Sequence, residues 1–214
     1  MESRPFITCL VIGLGLTLTS LAPADRAHGA GSGTTEFDIA FAFHRKGNLP
    51  VALEHYNNVI AADSTAAMAY QMRAIIMQQQ KQYQRALDDY TRVIATGENA
   101  FKVVGYYNRG IVKNMTGDFG GAIIDFTRAI ELNKKMGAAY FHRGIAKART
   151  GDPDGHLADF RQAALYGEVQ AEKWLSTYHP DWRTMPPPPT PAPLSHVSDD
   201  KQPAPDTGKT TDGG

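Results

Sequence analysis

The chain has 214 residues, and its 22 basic and 22 acidic side chains give a formal net charge of zero. This balance offers no excess positive charge to nucleic acid or to an anionic membrane surface, so we predict neither as a partner. Cys9 is the single cysteine, which excludes a disulfide within the chain and a cysteine-based metal site. The length and the 42% apolar content fit one folded domain with tails.

The first 33 residues have the layout of a secretory leader. Arg4 precedes an apolar run over residues 6–21, and the small-x-small sequence Ala22-Pro23-Ala24 follows. We predict a signal peptide over residues 1–24 and a flexible lead-in over 25–33. Cleavage nearer Gly29 and an uncleaved membrane anchor are the alternatives, and the anchor is the only predicted route to a membrane.

A helix hairpin is predicted between Tyr106 and Leu132. Gly117 can adopt the left-handed conformation that ends a helix, and Asp118 can cap the next helix through its side-chain oxygens. Gly110 is small where the two helices approach each other. Apolar residues recur at helical spacing, namely Tyr106, Phe119, Ile123, Phe126 and Ile130.

The hairpin pattern recurs along the chain. Its residues reappear 34 positions later, 36 positions earlier and, in part, a further 34 positions before that. The matching sets are Tyr70, Tyr106 and Tyr140; Arg73, Arg109 and Arg143; Ala52, Ala86 and Ala122; Asp89, Asp125 and Asp159; and Tyr56, Tyr90, Phe126 and Phe160. A period of about 34 residues with two helices per unit is the tetratricopeptide signature.

The chain therefore resembles a tetratricopeptide-repeat (TPR) protein. The resemblance implies an all-α, right-handed superhelical array of about four helix-turn-helix units with a C-terminal capping helix. We place the units at residues 34–64, 65–99, 100–136 and 137–168, within a repeat region of 34–168. The capping helix is predicted over 169–182, and a disordered proline-rich tail over 183–214, which holds eight of the 13 prolines.

Two details of the repeats carry separate expectations. The turn Gln80-Lys81-Gln82 lacks a glycine, so we expect it to be the least sharply defined turn. The two extra residues between the second and third units are expected to lengthen the loop over residues 96–102.

No pattern of catalytic residues is evident. The sequence lacks a phosphate-binding loop, a nucleophile elbow and a His-x-x-x-His pair, so we predict no enzyme, no cofactor and no metal site. The scattered histidines are interpreted as solvated or capping residues. The recurring arginines and aspartates are interpreted as repeat architecture, ion-paired between helices. An accessory enzyme that uses His44 and the repeat carboxylates is the weakest alternative.

The family geometry implies that the first helix of each unit lines a concave groove. The groove positions predicted to bind a partner are Phe37, Phe41, His44, Gln71, Ile75, Gln78, Tyr107, Ile111, Asn114, Phe141, Ile145 and Arg149. The Lys/Asn/Arg clamp that some TPR domains use for carboxylates is not present at these positions. An aromatic and aliphatic lining with neutral polar margins instead suits an apolar anchor from a peptide or helix.

The functional prediction is a non-enzymatic interaction module or scaffold that binds another protein in this groove. The leader, and a resemblance to bacterial envelope TPR scaffolds, suggest export to a periplasm or envelope. Self-association as a structural homo-oligomer is the main alternative.

Overall fold

The computed structural model describes residues 35–186, and the predicted signal peptide, lead-in and most of the predicted tail lie outside them. The described residues form helices only, without strands. The helices are α1 (Glu36–Arg45), α2 (Leu49–Ala62), α3 (Ala67–Gln79), α4 (Tyr83–Thr96), α5 (Asn99–Thr116), α6 (Phe119–Leu132), α7 (Gly137–Arg149), α8 (Pro153–Leu165) and α9 (Val169–Tyr178). Within the described residues, no helix combines the length and the apolar character needed to cross a bilayer.

The helices pack as consecutive antiparallel pairs, and each pair contacts the next. The predicted all-α array of TPR units is confirmed, with α1–α2, α3–α4, α5–α6 and α7–α8 as the four pairs. Small residues lie where the two helices of a pair meet. Ala52, Ala86 and Ala122 are fully buried, as are the aromatic side chains of Tyr56 and Tyr90. Because each pair leaves an apolar face bare, stacking of the pairs builds the core.

The turn of the second unit has the same form as the others. Gly117 and Gly151 have φ values of 87° and 82°, and Lys81 adopts the corresponding left-handed conformation with φ of 60°. The Gln82 amide donates to the Met77 carbonyl, as the Asp118 amide donates to the Lys113 carbonyl. The prediction of a poorly defined turn is therefore wrong, because backbone hydrogen bonds and packing of the helix pair impose the conformation even without glycine.

Lys81→Gly should stabilise the protein. A side chain in the left-handed region costs roughly 1 kcal/mol, and glycine removes that strain. We expect the free energy of unfolding, measured by urea denaturation, to rise by about 0.5–1 kcal/mol. The reciprocal change Gly117→Lys, at a site where an added Cβ meets nothing within 4 Å, should lower it by a similar amount. A Lys81→Gly variant less stable than wild type would contradict this account.

The junction between the second and third units is short, and the prediction of a longer loop is wrong. Only Gly97 and Glu98 separate α4 from α5, whereas four residues separate α6 from α7. The extra residues extend α5 to 18 residues, against 13 in α7. A Cβ on Gly97 would lie 2.5 Å from the Phe101 Cβ, so the missing side chain allows this tight reversal.

The recurring arginines and aspartates form ion pairs within each unit, as predicted. Arg143 binds both carboxylate oxygens of Asp159, at 2.8 and 2.7 Å. Its remaining amino group donates to the Thr127 hydroxyl on the second helix of the preceding unit. Arg73 repeats this arrangement with Asp89 and Asn57. Arg109 repeats it with Asp125 and Thr91. This arginine ladder therefore joins each unit to the one before it.

The C-terminal end of the array is closed by α9 and by the chain that follows it. Trp182 is buried, and Leu175 of α9 is fully buried. The Arg161 guanidinium donates to the main-chain carbonyls of Met185 and Pro186, at 2.9 and 2.6 Å. Met185 and Pro186, which we assigned to the tail, thus contact α8. The tail beyond residue 186 lies outside the described residues.

Candidate interaction surface

The predicted groove residues lie on the first helices of the four units. Most are half-buried, and Phe41 and Arg149 are exposed. Tyr107 differs, because only 7% of its surface is exposed and its ring packs against Phe126 and His142. Tyr107 therefore belongs to the core rather than to an open surface. The partner-binding role of the remaining positions stays a prediction.

An open depression lies between α5 and α7. Its volume is about 320 Å³. It brings together four of the predicted residues, Ile111, Asn114, Ile145 and Arg149, with Met115 beside them. Phe119 and His142 also line it, and neither was predicted as a site residue. We call this feature the α5–α7 depression. The predicted groove positions on α1 and α3 are not part of it.

The floor of the α5–α7 depression is apolar and its rim is polar. Ile111 and Ile145 occupy the same register position on α5 and α7, and Met115 is 46% exposed one helical turn after Ile111. Phe119 closes the depression from the start of α6. The Arg149 guanidinium carbon lies 5.2 Å from the centre of the Phe119 ring, so this cation is held at the rim by a cation–π contact.

Asn114 links the two helices and leaves one acceptor free. Its side-chain amide donates to the His142 carbonyl at 3.3 Å. Its Oδ1 is buried and has no hydrogen-bond partner among the described residues. A buried unpaired amide oxygen is costly, so a ligand that donates a hydrogen bond there gains affinity.

His142 is half-buried and packs against aromatic rings. Its ring centre lies 5.8 Å from that of Tyr107 and 5.9 Å from that of Phe126. Burial lowers the pKa of His142 to about 4, so the imidazole is neutral at pH 7. Arg149 is then the single ionised side chain among the residues that line the depression.

The lowered pKa of His142 predicts a loss of stability in mild acid. Unfolded His142 has an ordinary pKa of 6.5, whereas the folded value is about 4. Below pH 6.5 the unfolded state binds a proton that the folded state refuses until about pH 4, so stability falls across this interval. Between pH 7 and pH 4.5, wild type should lose about 2–3 kcal/mol more than His142→Phe, as measured by urea unfolding. Equal losses in the two proteins would contradict the lowered pKa of His142.

At the predicted groove positions of the first two units, several side chains contact other residues of the fold. Phe37 and Phe41 stack on each other with ring centres 6.4 Å apart. The Tyr90 hydroxyl donates to Gln78 at 3.1 Å, and the Gln78 amide contacts the Met115 sulfur at 3.7 Å. These side chains therefore pack within the fold, and they are less available to a partner than the residues of the α5–α7 depression.

His44 and the repeat aspartates, which the alternative enzyme would use, bind different partners. His44 lies 3.4 Å from the Tyr56 hydroxyl, and burial lowers the pKa of His44 and raises that of Tyr56 to about 12. Each repeat aspartate instead binds the arginine of its own unit. In the part of the chain that the structure describes, no three His, Cys, Asp or Glu side chains are grouped as a metal site requires.

The paired helices and the period of about 34 residues define a tetratricopeptide-repeat array. Solved structures of MamA share this fold. One MamA crystal structure is 25% identical with a TM-score of 0.58, over 64% of this chain and 79% of that one. A second is 22% identical with a TM-score of 0.56, over 67% and 75% of the two chains. MamA from Desulfovibrio magneticus RS-1, from residue 41 to the end, is 18% identical with a TM-score of 0.51, over 67% and 76%.

Neither protein-family models nor curated protein sequences give a match to this chain. The fold is therefore established by the repeats and the solved structures, and the function is argued from the surface.

Proposed function

We propose that this protein is an interaction module that binds a peptide or helix of another protein through its first helices, with the α5–α7 depression as the anchor site. The observation that carries the proposal is the open apolar floor formed by Ile111, Met115, Phe119 and Ile145. A large, half-exposed methionine in a concave site is typical of surfaces that accept apolar anchors.

The chemistry of the depression defines the kind of segment that fits. Its volume of about 320 Å³ suits one or two large apolar side chains rather than a whole cofactor. The free Asn114 Oδ1 suits a backbone or side-chain N–H next to the anchor. Arg149 on the rim favours an acidic residue beside it, which improves selectivity and association rate more than affinity. We therefore propose an apolar anchor flanked by an acidic residue.

We also propose that this interaction takes place outside the cytoplasm, in a periplasm or envelope. The support is the leader pattern over residues 1–24. N-terminal sequencing of the protein isolated from its source cells tests this location. A chain that begins near Asp25 supports export with cleavage, and a chain that keeps Met1 contradicts cleavage.

Affinity capture with matched variants tests the anchor site. The test variant combines Ile111→Ala with Met115→Gln, and the control is Met68→Gln, because Met68 is 45% exposed on α3 outside the depression. We expect a partner from the envelope fraction to be retained by wild type and by Met68→Gln and lost by the double variant. Circular dichroism must first show equal helicity. Equal capture by all three proteins would exclude the depression as the anchor site.

Self-association is a second candidate, and one feature favours it. Apolar side chains remain exposed at the α8–α9 end of the array, where Leu165, Val169 and Tyr178 are 62%, 70% and 65% exposed. Exposed apolar side chains of this kind can be buried against another copy. Light scattering should then show a mass that increases with concentration, and Val169→Asp should abolish the increase. A constant monomer mass would exclude this candidate.

A further inference from the structure

We propose that the second unit carries a binding site for a primary ammonium group, such as a lysine side chain of a partner protein, beside Asp89. The site is a cavity of about 200 Å³ lined by Asn57, Arg73, Met77, Arg85, Asp88 and Asp89. None of these residues belongs to the predicted groove or to the α5–α7 depression. The inference is therefore independent of the proposed function of those surfaces.

The other units show how an ammonium group binds at this position. The Lys113 ammonium lies 2.8 Å from Asp125 Oδ2. The Lys147 ammonium lies 3.0 Å from Asp159 Oδ2. In both units the lysine follows the ladder arginine by four residues, so one carboxylate accepts hydrogen bonds from a guanidinium and from an ammonium.

The second unit keeps the arginine and the aspartate but not the lysine. Arg73 binds Asp89 through two hydrogen bonds of 2.8 and 2.7 Å, in the geometry of the other units. Met77 stands at the lysine position and is buried. Among the described residues, Asp89 accepts side-chain hydrogen bonds from Arg73 alone. The carboxylate thus has the acceptor capacity that its counterparts use for lysine, and open space lies beside it.

The remaining lining residues are specific to the second unit. Asp88 corresponds to Ile124 and Ala158 in the next two units, and Arg85 corresponds to Gly121 and Gly155. Asp88 is exposed and hydrogen-bonded to Gln84 on its own helix. Asp88 thus adds a second carboxylate at the rim of the cavity, and this carboxylate can attract a cationic ligand.

The charges around the cavity are compatible with a bound cation. Two guanidinium groups and two carboxylates face it, so its net charge is zero. In the third and fourth units, one arginine, one lysine and one aspartate give a net charge of plus one. A bound ammonium would bring the second unit to the charge that the same fold accommodates twice elsewhere.

The ligand class follows from size and chemistry. A cavity of about 200 Å³ is smaller than the usual range for drug-sized ligands and matches a single aliphatic amine chain. The buried Met77 and the stem of Arg73 provide apolar contact for the methylene groups. The buried Asp89 and the exposed Asp88 receive the charged end.

Titration of the full chain with n-butylammonium chloride tests the site, followed by ¹H–¹⁵N spectra of the backbone amides. Equal concentrations of n-butanol and of sodium chloride are the controls for the apolar chain and for ionic strength. We expect saturable shifts of the amides near Met77 and Asp89, with a Kd on the order of millimolar, and none of these shifts with n-butanol. Nα-acetyl-lysine methylamide should bind more tightly than n-butylammonium if a protein supplies the ligand, and no more tightly if a free amine does.

Two variants make the test specific. Met77→Lys places an internal ammonium in the site, as Lys113 and Lys147 do, so it should fold normally and abolish the shifts. Asp88→Asn keeps the shape of an exposed side chain and should weaken binding about two- to five-fold. Shifts that do not saturate, that appear equally with n-butanol, or that persist unchanged in both variants would overturn the proposal.

Discussion

Gly110→Leu is expected to destabilise the protein by about 1–3 kcal/mol or more, whereas Gly120→Leu is expected to leave it as stable as wild type or slightly more stable. A Cβ on Gly110 would lie 2.8 Å from Cε1 of the Phe126 ring. Phe126 is itself fully buried, so the leucine can be accommodated only by separating α5 from α6. Overpacking at a helix contact of this kind therefore disrupts the third unit.

Gly120 supplies the matched control for this substitution. It lies in the first turn of α6, and an added Cβ there meets nothing within 4 Å. The change from glycine to a better helix former should contribute up to about 0.5–1 kcal/mol of stability. Thermal unfolding followed by circular dichroism measures both variants. Equal melting temperatures for Gly110→Leu and Gly120→Leu would show that close packing at Gly110 is not what holds the pair together.

Arg143→Met is expected to cost about 3–5 kcal/mol. Arg143 and Asp159 have side chains that are only 2% and 4% exposed. Removing the guanidinium leaves a buried carboxylate with Lys147 as its remaining cation and leaves the Thr127 hydroxyl without its donor. The substitution therefore weakens both the fourth unit and its contact with the third.

The equivalent substitution in the second unit, Arg73→Met, tests how the loss of stability depends on burial. The second unit has no lysine beside Asp89, but the Arg73 side chain is 22% exposed and an open cavity adjoins the carboxylate. Water can therefore solvate Asp89 after Arg73→Met, and the loss should be smaller. The double variant Arg143→Met/Asp159→Leu should recover part of the loss, because it also removes the buried carboxylate that has lost its arginine. Urea unfolding of the three variants checks this order. Equal losses for Arg73→Met and Arg143→Met would contradict the dependence on burial.

The repeat period made most of the fold predictable. Residues that recur every 34 positions mark the helix contacts, and the turn glycines and capping aspartates mark the helix ends. The Asp118 side chain accepts from the Gly121 amide, and Asp152 accepts from the Gly155 amide, both at 2.9 Å, as N-cap residues do.

Features imposed by tertiary packing could not be predicted. Lys81 adopts a conformation that its residue type disfavours, because the two helices it joins determine the turn. The two extra residues before the third unit could lengthen either a loop or a helix, and the close contact between Gly97 and Phe101 decides for the helix.

The sequence predicts which helix positions face the candidate site, but it does not predict how deeply each side chain is buried. Helical register places Ile111 and Ile145 correctly on neighbouring first helices, yet it cannot tell that Tyr107 is buried by Phe126. Phe119 belongs to a second helix, so a rule based on first helices misses it. His142 directly follows a predicted groove residue, Phe141. This position in the sequence was the one sign that His142 could lie at the site.

Site-specific photo-crosslinking tests the central claim, that this array binds a partner through the α5–α7 depression. A photoreactive amino acid would replace Met115 in one variant and Met68 in the other, since the two methionines are equally exposed. After irradiation of intact source cells, we expect position 115 to give a covalent adduct with a second protein and position 68 to give none. Adducts at position 68 but not at position 115, or adducts at 115 only with another copy of this chain, would contradict the account.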